Sequence, residues 1–554
     1  MKKKILSLLL CAVLLLCSCT EEKNSSEAGS DTENQHLDTE VAAMYVNIYC
    51  NTVALSGQKL YSINGNKTVP YVNQGILKIL LNGIFGDNCY KGQGNDGTVI
   101  QNAVNGSTLT IEKDENRLVF DDYERFFDTT NNENPMNNSF VSTLGKICKI
   151  TSDSYTNPGK TVIDLDDYGI TTYRRKNNYY IPFATVCNII PSLNMLVFNG
   201  SNVFCCANEY PCYDENYNLN EYGGFFKGNI QIDFDEELRQ FTYNNLCLCI
   251  DLNYALKADK GFESADEFLS QKGVKEIIFS GKPSVEVFEG QLDVIFNDLL
   301  DDRGHTGIGI TETSFFNKST FDNVISTDGY SAREAEGERL MTLRGETLPY
   351  YLHNEKTLVI TIDRFSDAAL NSDDCQNVIF ELNEKLNNDA GYSGVENVII
   401  DLSCNQGGND SGAVLLGGWI TGEGRESLIS ARSGAKSEIT ALIDINGDGA
   451  YDEKDSIRDK SVYIIVSSYT YSAAAVLANN LKGSENVTLV GEKTAGGMCN
   501  SIGFATVIGN SFRMSSRYRA LPTEGESGIE PDIMISEREM ASVYNPDWLL
   551  SHKK

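Results

Sequence analysis

Two stretches of the chain hold residue types that could carry out acyl transfer. Tyr469-Thr470-Tyr471-Ser472-Ala473-Ala474-Ala475 reads as a turn leading into a helix, which puts Ser472 at the helix start. Free N–H groups and the positive end of the backbone dipole lie there. A serine in that position is either a nucleophile, with the Ala473 N–H beside it as an oxyanion donor, or an ordinary helix N-cap. Upstream, the apolar run Val398 to Leu402 ends in Ser403-Cys404-Asn405-Gln406-Gly407-Gly408-Asn409. Paired glycines at the carboxyl end of a strand allow close backbone approach, so Gly407 or Gly408 could supply a second oxyanion N–H; a plain tight turn is the other reading.

A third stretch has the oxygen ligands of a hard cation. In Asp444-Ile445-Asn446-Gly447-Asp448-Gly449-Ala450-Tyr451-Asp452-Glu453-Lys454-Asp455, side-chain oxygens recur at alternate positions, Gly449 stands at the sharp turn, and Ala450 offers a carbonyl. The pattern resembles an EF-hand calcium loop, and dockerin-like loops in having Asp455 where EF-hands carry Glu. The expected ligands are Asp444, Asn446, Asp448, Ala450, Asp452 and Asp455, and the expected role of Ca2+ is structural. An acidic surface turn rich in Asx residues is the alternative.

These groups need a scaffold, and the periodicity supplies one. Thr357 to Ile362, Val398 to Leu402, Val462 to Val466 and Val487 to Val490 read as buried strands. Val378, Ile379, Leu382 and Leu386, then Ala413 to Trp419, then Ser472 to Leu481, read as helices between them. Strands alternating with helices predict a mainly parallel sheet. Further upstream, Leu292, Ile295, Phe296, Leu299 and Leu300 mark one helix face, with Gly304-His305-Thr306 just after it. From Val41 to Gly223 short β-type runs alternate with Asn/Gly/Asp turns, which reads as an accessory α+β region. Within it, Val69-Pro70-Tyr71-Val72 and Ile181-Pro182-Phe183-Ala184 each lead into an apolar helical segment, the weak signature of a duplicated unit.

Composition excludes some functions. With 46 Lys plus Arg against 77 Asp plus Glu, the formal net charge is -31, and no basic stripe appears, so no nucleic-acid partner is expected. The 4 histidines, His36, His305, His353 and His552, are too few for a His-rich metal site. Lys2-Lys3-Lys4, the apolar run Ile5 to Leu16 and Leu16-Cys17-Ser18-Cys19 read as an export signal too short to span a membrane, and resemble a bacterial lipobox with Cys19 as the lipidated residue. Residues 1–18 would leave as the signal and 19–40 would form a polar tether to the membrane. Of the 15 cysteines none forms a CxxC pair, so disulfides and buried thiols both remain open.

Four ordered strings then give a family resemblance. Ile399-Ile400-Asp401-Leu402 through Asn405-x-Gly407-Gly408, Thr470-Tyr471-Ser472-Ala473-Ala474, Val490-Gly491-Glu492-Lys493-Thr494-Ala495-Gly496-Gly497 and Gly528-Ile529-Glu530-Pro531-Asp532 recur in that order in the tail-specific, or carboxyl-terminal processing, serine peptidases. The resemblance covers roughly Leu292 to Ile535. It implies an α/β crotonase-like (Clp-protease-like) core over 350–545 with the calcium-loop insertion near 440–456, a helical N-terminal part of the peptidase over 226–349, and the accessory region over 41–225. Where the Ser/Lys branch has its lysine after Thr-x-Gly, this chain has Gly497. Gly304-His305-Thr306 instead resembles the element of the tricorn-core and retinoid-binding-protein branch. That resemblance implies Ser472 as nucleophile and His305 as general base, with no metal in the chemistry.

The orienting acid of tricorn-like members would fall at Gly525, so Glu524 and Glu526 are the candidates on either side. Roughly fifty residues separate His305 from the first core strand, the bottom of the domain size range, so the PDZ module many members carry there is expected to be missing or much reduced. The implied activity is that of an exported endopeptidase acting on a protein or peptide. A catalytically inactive peptide- or ligand-binding lipoprotein on the same fold is the runner-up.

Overall fold

The computed structural model describes residues 40–50, 53–94, 97–137, 144–191, 194–198, 202–206, 233–308, 327–365, 375–521 and 528–552. The export signal with Cys19, and the pair Glu524 and Glu526, lie outside these residues.

The carboxyl-terminal half is organised by strands β1 (Tyr350–Asn354), β2 (Thr357–Thr361), β3 (Asn397–Asp401), β4 (Gly424–Ser430), β5 (Lys436–Ile443), β6 (Ser461–Val466), β7 (Val487–Gly491), β8 (Cys499–Ala505), β9 (Ser511–Ala520) and β10 (Ile533–Met534). Helices α1 (Cys375–Asn388), α2 (Asp410–Thr421) and α3 (Ala473–Leu481) connect them. One sheet runs β1-β2-β3-β6-β7-β10, parallel throughout except for the edge strand β1. Its central strands are continuous apolar runs because both faces are covered. Leu358, Ile360, Val398, Ile400, Val462 and Ile464 feed the core shared with α1, α2 and α3. Their neighbours Val359, Ile399, Tyr463 and Ile465 face the other way, into a core with Leu340 and Met540.

The predicted parallel sheet is therefore present, with each predicted element within a residue or three of its observed bounds. Of the interval upstream of β2, residues 327–354 form helix Asp328–Arg344 and then β1.

A second sheet was not anticipated. It runs Gly307–Ile308, β9, β4, β5, Cys148–Thr156, with β8 paired on β9. Its strands are half-buried, so their apolar residues alternate: in β5, Ser437, Ile439, Ala441 and Ile443 point inward and their neighbours do not. By pairing Gly307 with Arg513, this sheet ties the segment after His305 to β9.

The amino-terminal region is β-rich. A seven-stranded sheet is ordered Tyr173–Arg175, Asn178–Pro182, Asn66–Asn73, Val53–Ile63, Val41–Cys50, Asn202–Cys206, Asn194–Phe198, beside a five-stranded antiparallel sheet between Tyr90 and Asp164. The two similar stretches meet in it: Ile181 pairs with Val72 and Pro182 with Tyr71, antiparallel, and each strand runs into a helix, Gln74–Phe85 and Phe183–Ile189. Helices between Glu236 and Leu300 bury Leu246, Ile250, Phe288 and Phe296 in the core of this region, together with Phe504, Phe512 and Met514 of β8 and β9. The apolar face expected from Leu292 is real but not purely α-helical: helix Val285–Asp293 continues as a π-helical turn, Val294–Leu299, directly before the His305 segment. No helix of the described residues is long and apolar enough to cross a membrane.

Candidate active site

Ser472 lies six residues beyond the carboxyl end of β6, and hydrogen bonds from the turn to the loop after β3 fix its place. The Ser467 Oγ donates to the Ser403 carbonyl at 2.5 Å, Thr470 Oγ1 to that of Leu402 at 2.9 Å, and Tyr471 N–H to that of Asn405 at 3.2 Å. Ser472 itself has φ 54 and ψ -130, and α3 begins at the next residue. A non-glycine residue there costs roughly 1–3 kcal/mol, and such strain persists only where the surroundings over-determine it. The ordinary N-cap reading fails, because the Ser472 side chain makes no capping hydrogen bond.

The two glycines do different jobs. Gly407, at φ 96, passes so close that a Cβ on it would lie 2.7 Å from Ser472 Cβ. Its N–H is engaged by Asn405 Oδ1 at 2.8 Å, so as an oxyanion donor it is already committed. Gly408, at φ 130, leaves space for the Phe365 carbonyl, which a Cβ would meet at 1.8 Å. The N–H groups of Gly408 and Ala473 make no hydrogen bond among the described residues.

His305 is held through its backbone. Asp302 Oδ1 accepts the N–H groups of Gly304, His305 and Thr306 at 3.3, 2.9 and 2.7 Å, and Asp302 Oδ2 accepts from Thr306 Oγ1 at 2.6 Å. Arg513 donates to the Gly304 and His305 carbonyls at 2.8 and 3.2 Å. The imidazole packs edge-on against Tyr471, the residue before the serine, with ring centroids 4.8 Å apart. Tyr471 is itself fixed, its hydroxyl donating to the Asp302 carbonyl at 3.0 Å and its ring lying 4.2 Å under the Arg333 guanidinium.

Burial pushes the His305 pKa down to about 4; the Asp302 carboxylate works against this, and Arg513 and Arg333 add to it. The ring is therefore neutral at neutral pH, the state a general base requires. Its Nδ1 lies 3.5 Å from Ser515 Oγ on β9. Ser472 and His305 are not hydrogen-bonded to each other.

The structure thus brings Ser472, Ala473, Gly407 and Gly408 into one wall and sets His305 against the same tyrosine. Asp302 and Ser515 were not anticipated. Asp302 had a readable signal, an Asp two residues before the Gly304-His305-Thr306 turn, the spacing of an Asx-type cap. Ser515 had none, since only the β9 pairing carries it to the imidazole.

The acidic loop enters β6 from the other end. Asp444 takes the N–H groups of Gly447 and Gly449 at 2.8 and 2.9 Å, one on each oxygen. Asp455 accepts from Ile445, Asn446 and Asp452. Gly449 has φ 82, the sharp turn expected of it. The donor set is all oxygen, which suits calcium, although among the described residues no three carboxylates converge on one point. The loop precedes the first residue of β6 and Ser472 follows its last, so a strand length of about 20 Å separates the two. Cys404, on the loop after β3, and Cys89, Cys148, Cys247 and Cys249 are free thiols.

A strained serine between strand and helix, with free N–H groups beside it, is the geometry that serine hydrolases of α/β folds give their nucleophile. Residues 356–535, which run from β2 to β10, match the model of peptidase family S41. Among solved structures, a lipoprotein from Streptococcus agalactiae is similar at 15% identity over 59% of this chain and 99% of that one, with a TM-score of 0.34. A putative peptidase from Parabacteroides merdae is similar at 15% identity over 55% of this chain and 92% of that one, with a TM-score of 0.40. A putative S41 protease from Bacteroides fragilis is 21% identical over 35% of this chain and 51% of that one, with a TM-score of 0.26.

Proposed function

We propose that the chain is an exported serine endopeptidase, lipid-anchored through Cys19, whose crotonase-like core hydrolyses peptide bonds through an acyl-enzyme on Ser472. The observation that carries this is the uncapped, strained Ser472 at the start of α3, held against Gly407. In the first step the Ser472 hydroxyl attacks the scissile carbonyl carbon and its proton passes to His305. The oxyanion takes hydrogen bonds from the N–H groups of Ala473 and Gly408. The C–N bond then breaks as His305 returns the proton to the leaving amine. Water, activated by the same imidazole, releases the acyl group. The imidazolium needs support at Nδ1; Glu524 or Glu526 is the proposed carboxylate, with Ser515 nearby as a neutral partner.

One observation favours a catalytically inactive ligand-binding protein, namely that no hydrogen bond joins Ser472 and His305. Catalytic hydrogen bonds often tighten only with substrate bound, so the peptidase reading keeps priority. Incubating a mixed peptide pool with wild type and with Ser472→Ala separates the two: new termini only with wild type support the peptidase, and identical pools support a binding protein.

Calcium is proposed for the loop ligands Asp444, Asn446, Asp448, Ala450, Asp452 and Asp455, with a structural role only. Extracellular loops of this type bind at about 10⁻⁴ to 10⁻³ M, so millimolar calcium is the fitting condition.

A further inference from the structure

One buried carboxyl has no part in the steps above. A cleft opens beside the proposed nucleophile, lined by Ser472, Ala473, Asp410, Glu426, Cys499 and Tyr518 among others. Glu426 projects inward from β4 and is only 7% exposed. Its Oε2 is buried without a hydrogen-bond partner. A carboxyl in that state costs several kcal/mol if ionised without a partner, and proteins keep few such groups. A guest bearing a positive charge would supply what the site lacks.

We propose that Glu426 is the specificity determinant of this cleft and that it selects peptides with a lysine or arginine side chain beside the bond cleaved at Ser472. This rests on the peptidase reading and names its substrate class. The groups facing Glu426 fit. Asp410, at the first turn of α2, also lines the cleft and adds a second negative charge. Arg425, the adjacent cation, points to solvent and is paired with Glu423 at 3.0 Å. Tyr518 donates its hydroxyl away from Glu426, to Glu124 at 2.9 Å, and the remaining titratable neighbour, Cys499, carries no positive charge. The overall formal charge of -31 also favours the approach of cationic peptides.

A pH signature follows. Burial, reinforced by the Asp410 carboxylate, pushes the Glu426 pKa up to about 8. Below that pH an arriving cation must displace a proton; above it the carboxylate is already charged. Preference for arginine should therefore grow as pH rises through about 8.

The test compares kcat/KM for two fluorogenic peptides that differ only in Arg or Leu at the residue whose carbonyl is cleaved. Wild type should favour Arg by at least about tenfold near pH 8, with the ratio falling toward pH 6, and Glu426→Gln should lose most of that ratio and its pH dependence. A wild-type ratio near one, or a ratio untouched by Glu426→Gln in a protein that melts normally, overturns the proposal. Benzamidine competition against fluorophosphonate labelling of Ser472 gives a second readout: protection in wild type that is weakened in Glu426→Gln is expected. A wild type that labels at Ser472 but shows neither preference nor protection sinks the specificity proposal alone; one that neither labels nor cleaves sinks the peptidase reading with it.

Discussion

The two ends of β6 use the same materials and finish them in opposite ways. Before its first residue, the acidic loop puts its positive φ angles on glycines, 72 at Gly447 and 82 at Gly449, and engages both oxygens of Asp444 and of Asp455 with backbone N–H groups. After its last residue, the positive φ falls on a serine, the hydroxyl caps nothing, and the neighbouring N–H groups of Ala473 and Gly408 have no partner among the described residues. One end satisfies itself and holds shape. The other leaves strain and unmet hydrogen bonds that a substrate can satisfy, which is where local rules are expected to break.

Substitutions can break this contrast. The largest effect is expected at the proposed nucleophile: Ser472→Ala should lower turnover by about 10³-fold or more without loss of melting temperature. By the same reasoning, Ser472→Gly should melt higher than wild type, because glycine relieves a φ of 54. Unchanged melting would mean the strain assigned to this residue is absent. Gly407→Ala comes next. A Cβ 2.7 Å from Ser472 Cβ must displace the serine, and a loss of about 10²-fold in kcat is expected, since small misplacements of reacting groups are that costly.

His305 offers a stability readout. Its folded pKa lies near 4, below the ordinary 6.5, so the unfolded chain binds the proton first as pH falls. The stability it contributes is intact above about pH 6.5 and lost progressively down to about pH 4. Urea midpoints across that range should fall less steeply in His305→Gln than in wild type. Equal slopes would place the imidazole in solvent.

At the far end of β6 the effects should be smaller and confined to stability. Removing calcium with a chelator should lower the melting temperature by a few degrees while leaving peptide turnover within about twofold. A large loss of turnover would mean that the two ends are coupled.

The sequence disclosed the two ends unequally. The parallel sheet was readable because its strands are buried on both faces and form unbroken apolar runs, as in Val398-Ile399-Ile400. The second sheet escaped because half-buried strands such as Gly424–Ser430 mix Arg425, Glu426 and Ser427 with few apolar residues. The site divided along the same line. Ser472 and the Gly407-Gly408 pair sit on one turn or strand end, where local sequence carries the constraint. Ser515 and Glu426 reach the site from β9 and β4, and only non-local pairing brings them there. The accommodation of Ser472 by Gly407 was half visible: two glycines were expected at a strand end, but not that one would make room for the serine while its N–H went to Asn405.

The most direct measurement is the intact mass of the purified protein after treatment with a fluorophosphonate in millimolar calcium, followed by peptide mapping. One adduct per chain, carried by Ser472, abolished in Ser472→Ala and strongly reduced in His305→Ala, is the predicted result. An unmodified wild type, or an adduct that persists in Ser472→Ala, would contradict the claim that Ser472 is the nucleophile.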